Sequence, residues 1–263
     1  MIKERLKNCE FFMKVYRAIR RFQLNIYGRI IERNGFVAEF KNIKSKFYLP
    51  LYRTDLIQIR ILLHKNYYER TNLDFICKKW KSGIIGKTIK DGMVLDIGAN
   101  IGNHTLYYLN ECEASKVYAF EPVEETFNML SKNIEINQLE SKVKLMKVGV
   151  GSRDGEASVI YSKERNSGET QIAMADGGGI KVVSIDGLNI PEKIGLVKID
   201  TEGFELEVLK GMTETLKRDM PFIMIEIWED NFEEASDLLV NLGYKYEVLD
   251  RQRNVNCDYL FYA

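Results

Sequence analysis

The chain has 263 residues, 45% of them hydrophobic, which is enough for one large α/β domain or for one domain plus an extension. Its 38 Lys and Arg balance 38 Asp and Glu, so no overall field draws it to nucleic acid. Four scattered cysteines without a CxxC pair read as reduced thiols rather than a disulfide frame or zinc site, and neither a membrane-spanning apolar run nor a signal-peptide core is found, so the expected location is cytoplasmic.

Residues 1–33 are basic, and Phe12, Tyr16, Ile19, Phe22, Ile26 and Ile30 recur at helical spacing. Such an amphipathic helix packs on its own domain or on a second subunit as a homodimer contact. The third alternative is an anionic surface at the inner face of a membrane. Segments 36–40 and 47–51 read as two short strands around a polar turn, 56–63 as a helix, and 73–89 as another helix that tolerates Gly83 and Gly86. The extension is therefore expected over 1–90 and a nucleotide-binding domain over 91–263.

Alternation of strand and helix begins at 93–102, Met-Val-Leu-Asp-Ile-Gly-Ala-Asn-Ile-Gly, followed by a helix over 104–109. Strands are expected at 116–120 and 143–150, with a helix at 123–138 between them. A hairpin-like insertion follows, with strands at 155–161 and 180–184 around a polar, Gly-rich loop at 162–179. Next come a strand at 195–200, a helix at 204–218, a strand at 221–228 and a helix at 231–242. The last two strands, 244–250 and 258–262, have no helix between them. The pattern predicts a mostly parallel sheet covered on both faces, with one antiparallel strand near the end.

An apolar strand, a glycine turn and a helix form a nucleotide-binding unit. The dinucleotide fingerprint needs a glycine in the middle of its turn so that backbone can approach a pyrophosphate. Here Asn100 stands between Gly98 and Gly102, and Asp96 adds a carboxylate at the strand tip. S-adenosylmethionine (SAM) has no phosphate; it offers an ammonium for Asp96 and a carboxylate for the amides of the turn and helix start. Glu121, in Glu121-Pro122 at the end of the next strand, suits the two ribose hydroxyls. Val148, Gly149 and Val150 fall where topology places an adenine, although sheet packing explains them equally. Asn103 and Thr105 are further candidates for cofactor hydrogen bonds.

Ligands of open α/β sheets sit at the carboxyl ends of the strands, where Asp200, Glu202 and Glu226 converge. The three acids suit a general base, a divalent metal such as Mg held by Asp200 and Glu226, or both. Structural alternatives stand beside each: Asp200 as a helix cap, Glu226 as a partner of Lys198 or a loop amide. His104 is a candidate base or a contact for the SAM carboxylate, or simply fills the first helical turn. Trp228 can stack on a sugar face or pack at the rim.

Asp96-Ile-Gly-Ala-Asn-Ile-Gly102-Asn-His-Thr, Tyr118-Ala-Phe-Glu-Pro122 and Lys198-Ile-Asp-Thr-Glu-Gly-Phe-Glu-Leu-Glu-Val-Leu-Lys-Gly211 together resemble the FkbM family of SAM-dependent methyltransferases. Phe222-Ile-Met-Ile-Glu226 fits the family's next strand. The resemblance runs from about residue 67 to the C-terminus and is most specific in the third block. It implies a Rossmann-like class I methyltransferase fold of seven strands with a reversed last strand. It further implies methyl transfer to a hydroxyl of a sugar, glycan or related metabolite. Tyr68-Glu69 matches a Tyr-Glu pair of the family and would close over the methionine end of SAM. Ser167-Gly168-Glu169-Thr170 departs from the family's small turn and points to a different acceptor. Two other readings stay open. An NAD-dependent sugar oxidoreductase or epimerase would need a Tyr-x-x-x-Lys relay, and none is well placed. A non-catalytic nucleotide-binding module would show decay of the cofactor acids.

Overall fold

The computed structural model describes residues 36–81, 92–163, 166–252 and 256–263. The basic helix expected over 1–33 and the end of the helix expected over 73–89 lie outside them. Among the described residues no helix is long and apolar enough to cross a membrane.

The N-terminal part begins with an antiparallel pair, β1 (Val37–Glu39) and β2 (Lys46–Tyr48), as expected. Helix α1 (Leu56–His64) starts where Asp55 accepts from the Gln58 amide at 2.9 Å and stops at Lys65 in the left-handed region. Helix α2 (Arg70–Lys81) follows.

The main sheet contains β3 (Met93–Ile97), β4 (Val117–Phe120), β5 (Val143–Met146), β10 (Ile194–Ile199), β11 (Phe222–Trp228), β12 (Lys245–Gln252) and β13 (Asn256–Tyr262). Their spatial order is β12-β13-β11-β10-β3-β4-β5, and β13 alone runs against its neighbours. From β3 the chain builds outward through β4 and β5. It then crosses back to β10 on the other side of β3, which opens the switch-point crevice where ligands of such sheets bind.

Side chains alternate between two covered faces. Val94, Ala119, Leu196 and Met224 pack with Leu106 and Tyr108 of α3 (Asn103–Asn110) and with Leu130 and Ile134 of α4 (Glu124–Ile136). Phe47, Leu49, Ile61, Leu73 and Ile76 of the N-terminal part belong to that same cluster. On the opposite face Leu95, Ile97, Val197, Ile199, Ile223 and Ile225 meet three helices. These are α5 (Glu205–Lys210), α6 (Thr213–Asp219) and α7 (Phe232–Asn241). The β1–β2 pair is tied to α4 by side-chain amides: Asn133 accepts from the Tyr48 N–H at 2.6 Å and Asn137 from that of Lys46 at 2.8 Å.

Four expectations are corrected. The strand expected over 143–150 divides, because after β5 the chain leaves the main sheet and β6 (Gly149–Val150) joins a second one. The loop expected over 162–179 is mostly a strand, β8 (Asn166–Met174), paired with β7 (Gly155–Lys163) as a long arm; β9 (Ile180–Val183) completes the order β6-β9-β7-β8. Its polar composition hid it, since an edge strand needs no continuous apolar run. The helix expected over 204–218 is two, α5 and α6, broken at Gly211. A Cβ there would lie 1.9 Å from the Gly151 carbonyl oxygen, so helix and loop touch backbone to backbone. Finally, Cys77 of α2 and Cys112 beyond α3, expected as separate thiols, form a disulfide with a Cα–Cα distance of 5.7 Å. Their separation of 35 residues carried no pairing signal.

Candidate active site

At the end of β3 the chain turns on two glycines. The Gly98 and Ala99 amides donate to the Phe120 carbonyl at 3.0 and 2.9 Å, which hangs the turn from the tip of β4. A Cβ on Gly98 would lie 1.8 Å from the Asp200 carbonyl oxygen, so only glycine lets the tips of β3 and β10 meet. Asn100 is held in the left-handed region, with its amide donating to Glu121 Oε2 at 2.9 Å. Glu121 Oε1 accepts from the Val123 amide at 2.9 Å. The buried Glu121 carboxyl is thus bracketed by backbone. Burial pushes it up to about 7, against the lowering pull of those two N–H groups.

Asp96 is fully buried and does not line the cavity. Its Oδ2 accepts from the Thr105 hydroxyl at 2.5 Å, which also takes Thr105 away from the cavity. Lys198, its register partner on β10, sends Nζ to within 3.7 Å of Asp96 Oδ1 and 3.4 Å of Asp200 Oδ2, and donates to the Gly98 carbonyl at 2.6 Å. Desolvation would lower the pKa of this buried amine, but Asp200 and Asp96 outweigh it and hold it raised and charged. The suggested Lys198–Glu226 pair is replaced by this link between the glycine turn and Asp200. The register of β3 against β10 produces it, and no sequence spacing shows it.

The turn after Asp200 is wound around one carboxylate. Glu205 Oε1 accepts from the Thr201 amide at 3.0 Å, the Thr201 hydroxyl at 2.9 Å and the Gly203 amide at 3.0 Å. Glu205, not Asp200, organises the entry to α5, and the capping alternative for Asp200 falls away. Glu202 takes a positive φ of 55° in this turn. One oxygen each of Asp200, Glu202 and Glu226 lie within 4.8 Å of one another. Asn256 donates to Glu226, and Asp258 faces Glu226 across the β11–β13 pair. Burial, with the negative charges of Asp200, Asp258 and Glu202, holds the Glu226 carboxyl well above the usual range.

A further constellation lies at the start of α3. The Asn103 side chain accepts from the Tyr68 amide at 2.9 Å and donates to the Tyr68 carbonyl at 3.1 Å, so both its polar ends are engaged in positioning that segment. Glu69 follows with φ 56°, and its Oε2 lies 3.3 Å from His104 Nε2, out of line for a hydrogen bond. Arg60 of α1 lies over the Tyr68 ring at 5.4 Å and donates to its hydroxyl at 3.3 Å.

These groups surround a cavity of about 560 Å³, within the usual span of ligand sites. Of the sequence candidates, Glu69, Gly98, Asn100, Asn103, His104, Glu121, Pro122, Val148, Gly149, Asp200, Glu202, Glu226 and Trp228 line it; Asp96, Gly102 and Thr105 stand behind the wall. Gly102 faces Leu130 instead, whose Cδ1 lies 2.6 Å from where a Cβ would be. Sequence reasoning missed Arg60, Tyr161 and Gln171 and named Lys198 only as a partner for Glu226, whereas Thr170, in the insertion read as bearing on the acceptor, does line the cavity. A period of two in Thr170-x-Ile172-x-Met174 was the available signal for the arm.

The model of the methyltransferase FkbM domain matches residues 96–246. The chain belongs to the FkbM methyltransferase family. It is 34% identical over 142 residues to the hexuronic acid methyltransferase AglP of Haloferax volcanii, covering 52% of this chain and 56% of AglP. It is 30% identical over 171 residues to methyltransferase sdnD of Sordaria araneosa, covering 52% of this chain and 66% of sdnD. The chain thus spans under two thirds of both relatives. A crystal structure of an FkbM methyltransferase from Methylobacillus flagellatus KT superposes with a TM-score of 0.52 at 20% identity, over 70% of this chain and 46% of that one. The seven-stranded Rossmann-like sheet is the FkbM fold. Residues 36–81, which cover one face of it, precede the FkbM match.

Proposed function

We propose that this FkbM protein is a SAM-dependent O-methyltransferase acting on a hydroxyl of a sugar or glycan. One observation carries the reading: a single cavity has the glycine turn and Glu121 on one side of β3 and three converging carboxylates on the other. The wall chemistry fits a phosphate-free donor. Asn100 stands where a pyrophosphate needs a glycine for close backbone approach, and, with Lys198 committed to Asp96 and Asp200, Arg60 is the one other Lys or Arg among the described lining residues. Glu121 would hold the ribose and Val148 to Val150 the adenine, with the methionine end lying past the glycine turn, whose 98–101 amides already donate within the protein. When bound, SAM supplies an electrophilic methyl group.

The chain's residues then have separate tasks. Asp200, 3.4 Å from the Lys198 amine, accepts the acceptor hydroxyl's proton. Glu226, holding its own proton, donates a hydrogen bond that orients the acceptor beside Asp200. Trp228, whose indole N–H is buried without a partner, offers a ring face and a donor to a sugar. AglP, by its name, methylates a hexuronic acid, which supports a sugar-type acceptor here. A second reading is favoured by the 4.8 Å cluster: Asp200, Glu202 and Glu226 would hold a divalent cation that acidifies the hydroxyl in place of a base.

Labelled-methyl transfer to cell-envelope glycan fractions, with and without chelator, tests both readings. Transfer that survives chelation favours the base, and transfer restored by Mg favours the cation. Stabilisation of the protein by NAD but not by S-adenosylhomocysteine (SAH) would overturn both in favour of an oxidoreductase.

A further inference from the structure

The cavity walls are strongly acidic. Glu69, Glu121, Asp200, Glu202 and Glu226 line it, and Lys198 is buried and spent on Asp96, Asp200 and the Gly98 carbonyl. A ligand bearing a carboxylate would be repelled from most of this surface. Arg60 is the exception. It projects from the middle of α1 into the cavity wall, and no carboxylate among the described residues forms an ion pair with it. Its guanidinium is nonetheless placed, lying over the Tyr68 ring at 5.4 Å with one N–H on the Tyr68 hydroxyl at 3.3 Å. Tyr68 itself is fixed by the two hydrogen bonds from the Asn103 side chain. A stacked guanidinium with donors still unused is the side chain suited to grip a carboxylate with two parallel bonds. Glu69, next in sequence to Tyr68, lines the same cavity, so Arg60 stands over the Tyr68-Glu69 segment of the wall.

We propose that Arg60 is the carboxylate-binding residue of this cavity, gripping a ligand carboxylate that the remaining wall repels. Resting on the methyltransferase reading, two ligands carry such a group: the donor, through its methionine end, and an acidic sugar acceptor of the uronic acid class. The fixed chain of contacts α1–Arg60–Tyr68–Asn103 gives this carboxylate a defined position over Tyr68 from either source.

Isothermal titration of the full chain decides. SAH is titrated into wild type, R60M and R60K; glucuronate and glucose are then titrated into the SAH-saturated proteins. A tenfold or greater loss of SAH affinity in R60M, partly recovered in R60K, supports the proposal with the donor as source. A tenfold loss for glucuronate with SAH and glucose unchanged supports it with the acceptor as source. R60M that binds SAH and glucuronate as the wild type does, or that loses glucuronate and glucose equally, overturns it. Wild type that binds glucuronate through Arg60 but not SAH would instead sink the methyltransferase reading and leave the carboxylate site standing. Wild type that binds neither would sink both.

Discussion

Under the proposed function, the residues at the switch point divide into those that would touch ligand and those that hold them. Asp200 belongs to the first group. Asp200→Asn is expected to lower methyl transfer by a factor of about 10²–10⁴ while SAH binding stays within twofold, read by single-turnover assay beside calorimetry. Lys198 belongs to the second. Lys198→Met leaves Asp96 buried without its cation, a loss of about 3–5 kcal/mol that should appear as a lowered melting temperature. Adding Asp96→Asn should recover much of that temperature but not turnover, because Asp200 still lacks its counter-charge. Glu121 gives a pH signature. Its carboxyl sits at about 7 in the fold against 4.5 in an ordinary setting. The stability it contributes is therefore fully present below pH 4.5 and lost as pH rises to about 7. A Glu121→Gln protein lacks this dependence. The melting-temperature difference, wild type minus variant, should fall across that window by the equivalent of about 3 kcal/mol and then level off. The presence of Asp96, Glu121, Asp200 and Glu226 was legible from motif spacing. The link through Lys198 and the bracket at Glu205 were not, because both depend on strand register and on the closure of a turn.

The elements were largely legible where hydrophobic periodicity was strong. All five residues of β3 are buried, as a continuous apolar run predicts, and the reversed strand was visible from two strands with no helix between them. The broken helix and the disulfide share one cause: contacts between distant segments that leave no local trace. Gly211 reads as a tolerated helix glycine, yet it is there because the backbone of Gly151 presses on it. Gly211→Ala should therefore lower the melting temperature by several degrees, far beyond what an exposed helix Gly→Ala change does; an unchanged or raised value would refute the close approach. The β8 strand of the arm was read as a loop because its sequence is largely polar, and Thr170 and Gln171 of that strand line the cavity. A segment that shapes a polar ligand site carries the pattern of a loop.

At the scale of the molecule, the N-terminal hairpin and helices share a core with the sheet rather than sitting beside it. Phe47, Ile61, Leu73 and Ile76 interlock with Leu106, Tyr107 and Tyr108, and each is almost wholly buried. A chain shortened to 92–263 would expose that surface. It is expected to aggregate or to lack a cooperative thermal transition, checked by gel filtration and circular dichroism. A folded, SAH-binding product would show that the hairpin and helices are dispensable.

The alternation along the central strands has a broader consequence. Asp96, Lys198, Glu226 and Asp258 all point to one side of the sheet, whereas Leu95, Ile97, Val197, Ile199, Ile223, Ile225 and Ile227 make the other side entirely apolar. Chemistry and cohesion are thus assigned to opposite sides of the same strands. Changes on the apolar side, such as Ile223→Ala, should reduce how much protein is folded while each folded molecule turns over at the parental rate. On the charged side, changes at groups that line the cavity, such as Glu226, should lower turnover more than the yield of folded protein. The charged side is also the one roofed by residues that precede the FkbM match, so the same N-terminal segment closes a core and, through Arg60, Tyr68 and Glu69, walls the cavity.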